Sequence, residues 1–159
     1  MSETPAVSVV IPLYNKGPYI ARALNSVLAQ TFQYFEVIVV DDGSTDEGAS
    51  MVKDFEDSRI RLIQQENQGV SAARNRGIEA SRAELIAFLD ADDEWLPEFL
   101  EMMIEIRAEY PHAGAYISGY KILSPSRQYV DMNIPGIPET QQSGIMPSYF
   151  QSAASGAFP

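Results

Sequence analysis

The most concentrated chemistry in the sequence is the acid cluster DADDE, where Asp90, Asp92, Asp93 and Glu94 place four carboxylates within five residues. Two like charges about 4 Å apart repel each other by roughly 4 kcal/mol at an effective dielectric constant of about 20. Water, a shared proton or a bound cation would relieve that repulsion. The D-x-D spacing of Asp90 and Asp92 suits one hard cation, because Mg²⁺ and Mn²⁺ prefer carboxylate oxygens and substrate phosphates. The alternative is a solvated turn whose acids favour the N-terminus of a following helix.

Two further polar clusters, PLYN from Pro12 and DDGS from Asp41, each follow an apolar run. Tyr14 could stack on a base or only cover the end of a sheet, and Asn15 could form only a turn. Asp41 and Asp42 could accept hydrogen bonds from a base N–H or a ribose hydroxyl. Asp, Gly and Ser also favour an Asx turn followed by a helix cap, which is the structural alternative.

A fourth cluster, NQGVSAARNRG, combines small and basic residues near the start of a predicted helix. Gly69 would let the backbone approach a ligand, and Ser71 could cap the helix. Arg74 and Arg76 would lie near a helix N-terminus, which itself attracts anions. An exposed basic helix face is the alternative. Because only 11 residues of the chain are Lys or Arg, a basic pair among acid clusters favours a phosphate partner.

Short apolar runs alternate with helical patterns, which predicts a mostly parallel α/β sheet with right-handed crossovers. The predicted strands are residues 7–13, 36–40, 59–64 (edge-like), 84–89 (buried) and 113–122. The predicted helices begin at Gly17-Pro18, after a Ser44 or Thr45 cap, at Gly69 and at Pro97. Ligands of such sheets bind outside the carboxyl ends of the strands. The clusters after strands one, two and four are therefore expected to meet at one edge.

Composition restricts the partners and the compartment. The 159-residue chain has a formal net charge of −11, which predicts no binding to nucleic acid or to anionic membrane surfaces. The absence of cysteine excludes disulfides, thiolate metal sites and Cys nucleophiles, and is typical of a reducing cytoplasm. The N-terminus lacks a signal-peptide pattern, and no apolar run approaches the roughly 20 residues of a transmembrane helix.

The chain is predicted to hold one α/β domain over residues 1–123. Residues 124–159 are rich in Pro, Gly and Ser, which predicts an irregular loop or the start of an acceptor-binding part. The abrupt end indicates that the domain is cut short on its C-terminal side. Such a cut would expose apolar sheet surface, which favours a homo-oligomer.

Taken together, the clusters from Val7 to Glu101 carry a family resemblance. The stretch VSVVIPLYNKGPYIARALNSVLAQTFQYFEVIVVDDGSTD and the later ENQGVSAARNRGIEASRAELIAFLDADDEW resemble the nucleotide-sugar-dependent family 2 glycosyltransferases. The resemblance implies a Rossmann-like GT-A fold of three layers and a nucleotide-diphosphate sugar donor such as a UDP-sugar. It also implies Mn²⁺ or Mg²⁺, inversion at the anomeric carbon and a saccharide or lipid-linked acceptor. The expected role is cell-envelope polysaccharide synthesis, in the cytoplasm or at the inner face of the membrane.

The resemblance also implies roles for particular residues. The implied nucleotide-sugar site consists of Pro12, Tyr14, Asn15, Asp41, Asp42, Arg74, Asp90 and Asp93. The implied metal ligands are Asp90, Asp92 and Asp93. The family's general base is an acid, usually in a Glu-Asp pair, downstream of D-x-D. After Glu109 only Asp131 and Glu139 remain, and neither lies in such a pair. The base is therefore expected to be missing, which leaves a non-catalytic nucleotide-sugar-binding module as the alternative.

Overall fold

The computed structural model describes residues 4–123 and 129–131, and the chain divides into two compact units, Met1–Glu101 and Met102–Pro159. The elements of the first unit are β1 (Val7–Leu13), α1 (Gly17–Leu28), β2 (Phe35–Asp42), α2 (Gly48–Lys53), β3 (Ile60–Gln65), α3 (Val70–Ala80) and β4 (Leu85–Phe88). Helix α4 (Phe99–Glu109) begins in the first unit and continues into the second. In the second unit, β5 (Lys121–Leu123) pairs antiparallel with β6 (Tyr129–Asp131). No helix among the described residues is both long and apolar enough to cross a bilayer.

A four-stranded parallel sheet in the order β3-β2-β1-β4 organises the first unit. Every residue of β1 and β2 is buried, because these β-branched runs occupy the two central positions. The predicted parallel α/β sheet is thus confirmed, with β3 at an edge as expected. Leu13 at the end of β1 pairs with Asp41 near the end of β2, so the polar clusters that follow them start from one sheet edge.

Helix α3 packs closely on the sheet. Ala73 is fully buried beside Ile38 and Val40, which lie on one face of β2. A side chain at Gly77 would overlap the Val10 side chain of β1, so the absence of a Cβ permits the approach of helix to strand. This packing fixes the N-terminus of α3 relative to the carboxyl ends of β1 and β2.

The predicted Ser44 or Thr45 cap of α2 is wrong. Asp46 instead accepts hydrogen bonds from the N–H of Gly48 at 3.0 Å and from the N–H of Gly17 at 2.8 Å. One carboxylate therefore satisfies the first N–H of both α1 and α2, which matches the preference of helix N-termini for acids. Ser44 and Thr45 are engaged elsewhere, by Asn15.

Three predictions about the elements need correction: the burial of one strand, the start of one helix and the extent of another strand. The strand at residues 84–89 is not fully buried, because β4 pairs only with β1 in the described sheet and Phe88 remains 45% exposed. Helix α4 begins at Phe99, not at Pro97. Strand β5 is Lys121–Leu123, so it overlaps the predicted 113–122 strand only at residues 121 and 122, where β6 supplies its hydrogen-bonding partner. The predicted 124–159 region lies outside the described residues except for β6.

Candidate functional site

A cavity of about 400 Å³ lies at the carboxyl edge of the sheet in the first unit. Its lining comes from the ends of β1 and β2, the loop before α3 with that helix's first turn, and the acid turn (residues 90–93). The lining residues are Pro12, Leu13, Tyr14, Lys16, Asp42, Asn67, Gly69, Val70, Ala73, Asp90, Ala91 and Asp92. Its volume falls within the usual range of small-molecule pockets, and its position is where α/β sheets bind ligands.

Of the residues predicted for the site, five line this cavity: Pro12, Tyr14, Asp42, Asp90 and Asp92. The structure thus brings together the cluster after β1, the end of β2 and the acid turn. The other four predicted residues, Asn15, Asp41, Arg74 and Asp93, are not among its lining residues.

Asp42 is the most firmly held carboxylate of the cavity. Only 2% of the residue is exposed, and it accepts hydrogen bonds from Gln65 Nε2 at 2.7 Å and from the N–H groups of Gln68 at 2.9 Å and Gly69 at 2.8 Å. Desolvation disfavours the charged carboxylate, but these three donors outweigh it and lower the pKa of Asp42. Asp42 is therefore an anion of fixed orientation that also shapes the loop before α3, where Gly69 has φ of 89°.

Asp41 and Asn15 hold the loops that surround the cavity. Asp41 is buried and accepts hydrogen bonds from the Ser44 N–H and from Gln64 Nε2, both at 3.0 Å. Asn15 accepts the Thr45 N–H at 2.8 Å, while its own N–H donates to Ser44 Oγ at 3.0 Å. Asp41 therefore forms the turn named as the structural alternative, and Asn15 ties the end of β1 to that turn.

The acid turn is paired with cations from two other segments. Arg74 Nη2 of α3 lies 2.7 Å from Asp90 Oδ1, and Lys16 Nζ lies 2.5 Å from Asp92 Oδ2. The hydrogen bond from Lys16 lowers the pKa of Asp92, and the same contact raises the pKa of Lys16. In contrast, partial desolvation and the charges of Asp92 and Asp90 raise the pKa of Asp93. Asp90 and Asp92 are thus paired with cations, whereas Asp93 still bears the repulsion of its neighbours.

The acid turn is also the predicted metal site. Across residues 4–123 and 129–131, no three acidic or imidazole side chains are placed so that they could hold one ion. Mg²⁺, however, is usually held by only one or two carboxylates together with water and substrate phosphates. Asp90 and Asp92 supply oxygens of the required kind at the cavity wall. The donor chemistry therefore fits a divalent cation that arrives with a phosphate ligand.

Lys16 and Asn67 also line the cavity, although neither is among the residues predicted for the site. Lys16 is the residue directly before α1. A single lysine following the PLYN cluster, in a chain with few basic residues, was the available signal. Arg76, predicted beside Arg74 as a phosphate contact, instead lies 3.5 Å from Glu79 of its own helix.

Comparison with known sequences decides the family. The sequence model of glycosyl transferase family 2 matches residues 8–154, which is most of the chain. The chain belongs to glycosyl transferase family 2. This family 2 chain is 40% identical over 111 residues to the uncharacterized glycosyltransferase YibD of Escherichia coli (strain K12), covering 69% of the chain and 32% of that protein. It is 37% identical over 123 residues to TuaG of Bacillus subtilis (strain 168), named for teichuronic acid biosynthesis, covering 76% and 48%.

Solved structures of glycosyltransferases share the fold. S. aureus TarS (residues 1–349), in complex with UDP-GlcNAc, matches with a TM-score of 0.63 and 29% identity over 70% of this chain and 36% of that one. The mannosyltransferase PcManGT from Pyrobaculum calidifontis, in complex with GDP-Man and Mn²⁺, matches with a TM-score of 0.54 and 31% identity over 59% and 29%. The predicted GT-A fold class is confirmed, and the chain spans less than half the length of these relatives.

Proposed function

We propose that this chain supplies the donor-binding part of a glycosyltransferase, which transfers a sugar from a nucleotide diphosphate to an acceptor hydroxyl with inversion. The observation that carries the proposal is the shared cavity, in which Asp42 and Asp92 lie on the walls of one space of about 400 Å³. The two carboxylates come from separate strand ends, and the solved relatives named above were obtained with UDP-GlcNAc and with GDP-Man.

The nucleoside is assigned to the part of the cavity formed by β1 and β2. Asp42 is held as an anion there and can accept hydrogen bonds from a base N–H or ribose hydroxyl. Tyr14 is 49% exposed and presents an aromatic ring on which a base can stack. Pro12 completes this wall. A UDP-sugar is the proposed donor.

The diphosphate is assigned to the part near the acid turn, where cations are available. Lys16 lines the cavity, and Arg74 forms an ion pair with Asp90, which also lines it. Both side chains can bind phosphate oxygens, the ammonium as a point charge and the guanidinium through paired N–H groups. Their present pairing with carboxylates keeps them close to where the diphosphate would lie.

Mn²⁺ or Mg²⁺ is the proposed cofactor, with Asp90 and Asp92 as its protein ligands and Asp93 beside them. When bound, such an ion acts as a Lewis acid on the leaving diphosphate. The chain's own residues bind and orient the donor, and Lys16 and Arg74 add positive charge near the leaving group. No described residue is assigned as the base that takes the acceptor proton.

The proposal also covers the acceptor, the compartment and the assembly state. We propose a saccharide or lipid-linked acceptor and a role in cell-envelope polysaccharide synthesis, and the name of TuaG, given for teichuronic acid biosynthesis, supports that role. We infer a cytoplasmic location, at the inner face of the membrane when the acceptor is lipid-linked, and a homo-oligomeric state. The non-catalytic alternative has no better support than transfer itself.

Isothermal titration of the chain with UDP, GDP and dTDP, each with and without Mn²⁺, tests the donor site. We expect UDP to bind more tightly with Mn²⁺ than without it, and Asp92→Asn to remove that gain. Asp54→Asn changes an exposed aspartate at the end of α2 and is the matched control for the lost charge. If the folded chain binds none of the three nucleotides, the proposal is refuted.

A further inference from the structure

Polar residues spaced by four along α1 contact the acid turn and the segment that follows it. Arg22, Ser26 and Gln30 recur at this interval, so their side chains lie on one side of the helix and its C-terminal extension. Arg22 Nη2 donates to the backbone oxygen of Asp92, and its Nε lies 3.8 Å from Glu94 Oε2. We call these three residues the α1 polar row. None of them lines the cavity.

Ser26 and Gln30 of the row form hydrogen bonds with backbone groups of the segment after the acid turn. Ser26 Oγ accepts the N–H of Trp95 at 3.1 Å and donates to the Ala23 oxygen at 2.8 Å. Gln30 is only 2% exposed, and its amide donates to the Leu96 oxygen at 2.7 Å while accepting the Leu100 N–H at 2.8 Å. Thr31, which follows Gln30, donates a backbone hydrogen bond of 2.8 Å from its N–H to the oxygen of Pro97.

The acid turn is therefore held on both sides. Before it, the Leu89 N–H donates to the Val10 oxygen at 3.1 Å, which continues the pairing of β4 with β1. Within it, the Asp93 N–H donates to the Asp90 oxygen at 3.0 Å. Arg22 contacts Asp92 within the turn, and Ser26 and Gln30 hold Trp95 and Leu96 after it. A buried glutamine whose amide is fully hydrogen-bonded is costly to replace, because each backbone group it serves would lose its partner.

We propose that Ser26 and Gln30 are positioning residues, which hold the acid turn so that Asp92 faces the cavity. The inference rests on the proposed nucleotide-diphosphate site, since its purpose is to preorganise that site's carboxylates. A carboxylate of the protein that is already held in place loses less conformational freedom when the metal and diphosphate bind, which increases their affinity. Loss of the row is thus expected to weaken binding of the diphosphate with its metal, and to leave the nucleoside contacts at Asp42 unchanged.

The test compares Ser26→Ala, Ser26→Thr and Gln30→Met with the unmodified chain, using uridine and using UDP with Mn²⁺. We expect Ser26→Ala to weaken UDP·Mn²⁺ about fivefold, the effect of one lost hydrogen bond, and Gln30→Met to weaken it more. Uridine affinity should be unchanged in both, and Ser26→Thr should retain UDP·Mn²⁺ affinity because it keeps the hydroxyl. If Gln30→Met does not fold, the two Ser26 variants decide the matter.

Trp95 supplies a readout that needs no ligand, because it is the only tryptophan of the chain. Its ring stacks on Phe99 with centroids 4.3 Å apart, and its backbone N–H donates to Ser26 Oγ. Ser26→Ala should therefore shift the fluorescence of the ligand-free chain. Ser8→Ala is the matched control, since Ser8 is a buried hydroxyl bonded to Glu36 near the other end of β1.

The outcomes separate the two proposals. Unchanged UDP·Mn²⁺ affinity in Ser26→Ala, or equal weakening of uridine and UDP, overturns the positioning role and leaves the donor site intact. An equal loss of UDP·Mn²⁺ affinity in Ser8→Ala overturns it as well, because general destabilisation would then explain the effect. If the unmodified chain binds neither uridine nor UDP, the proposed function fails, and the positioning role fails with it.

Discussion

Lys16 and Asp92 form an ion pair of 2.5 Å across 76 residues of sequence, joining the loop after β1 to the acid turn. The pair lies on the cavity wall, and each side chain is 41% exposed. An exposed pair of this kind contributes little to stability, at most about 1 kcal/mol. Its significance is chemical, because Lys16 occupies the carboxylate that a divalent cation would need.

Lys16→Met is expected to raise the affinity of the nucleotide-free chain for Mn²⁺. Removing the ammonium removes the competitor for Asp92, and a competition worth about 1 kcal/mol corresponds to about a fivefold change. Electron paramagnetic resonance of free Mn²⁺ measures the affinity. Lys53→Met removes the same charge from the last turn of α2 and should have no such effect. Weaker Mn²⁺ binding by Lys16→Met would contradict the competition.

Asp93→Asn is expected to stabilise the metal-free chain at neutral pH. Folding raises the pKa of Asp93, through partial desolvation and the neighbouring Asp92 and Asp90, so the ionised group destabilises the folded state. The destabilisation is absent below the ordinary pKa of 3.8, grows as the pH rises above that value, and is complete once the pH exceeds the folded pKa. Thermal unfolding across this range should show a gain at neutral pH only. A gain of equal size at acidic pH would exclude a charge effect.

Glu36→Gln is expected to destabilise the chain by about 2 kcal/mol and to flatten its response to acid. Glu36 is buried and accepts hydrogen bonds from Ser8 Oγ at 2.7 Å and from Arg82 Nε at 2.8 Å. Desolvation opposes its ionisation, but these donors outweigh it and lower its pKa below the ordinary 4.5. A lowered pKa contributes stability above pH 4.5, which is lost as the pH falls through the folded value.

Urea unfolding at a series of pH values measures both effects of Glu36→Gln. The control is Glu79→Gln, because the Glu79 side chain is 68% exposed and lies 3.5 Å from Arg76 of its own helix. That variant should leave the free energy of unfolding nearly unchanged. An acid response of Glu36→Gln as steep as that of the unmodified chain would assign the acid sensitivity to other groups.

Gly77→Ala is expected to destabilise the first unit by about 2 kcal/mol, because the added methyl overlaps Val10 and forces α3 away from the sheet. Denaturant unfolding measures the cost. The double variant with Val10→Ala makes room for the methyl, so the two changes should couple favourably. Simple additivity of the two single costs would show that the helix does not press on Val10.

The central sheet could be predicted from local pattern. The β-branched runs in β1 and β2 are typical of buried parallel strands, and the polar clusters that follow them mark the ligand edge. The strand order could not be predicted, because it depends on which neighbours bury those runs. The predicted strand at 113–122 was too long for a related reason: the residues of a strand do not identify its partner, and pairing with β6 begins only at Lys121.

The cavity was predictable in outline but not in its contacts. Residue type placed Asp42 and Asp92 at the ligand edge, and the structure places both on the cavity wall. The sequence could not reveal that Asp42 also accepts the Gly69 N–H, or that Lys16 pairs with Asp92. These contacts join residues 27 and 76 positions apart and arise only once the sheet is assembled.

A crystal structure of the chain with UDP and Mn²⁺, with the metal located by its anomalous scattering, tests the central claim most directly. We predict one anomalous peak between the diphosphate and the Asp90 or Asp92 carboxylate, with the uracil and ribose beside Tyr14 and Asp42. A nucleotide bound outside this cavity, or a metal remote from the acid turn, would contradict the claim that both carboxylates serve a single donor.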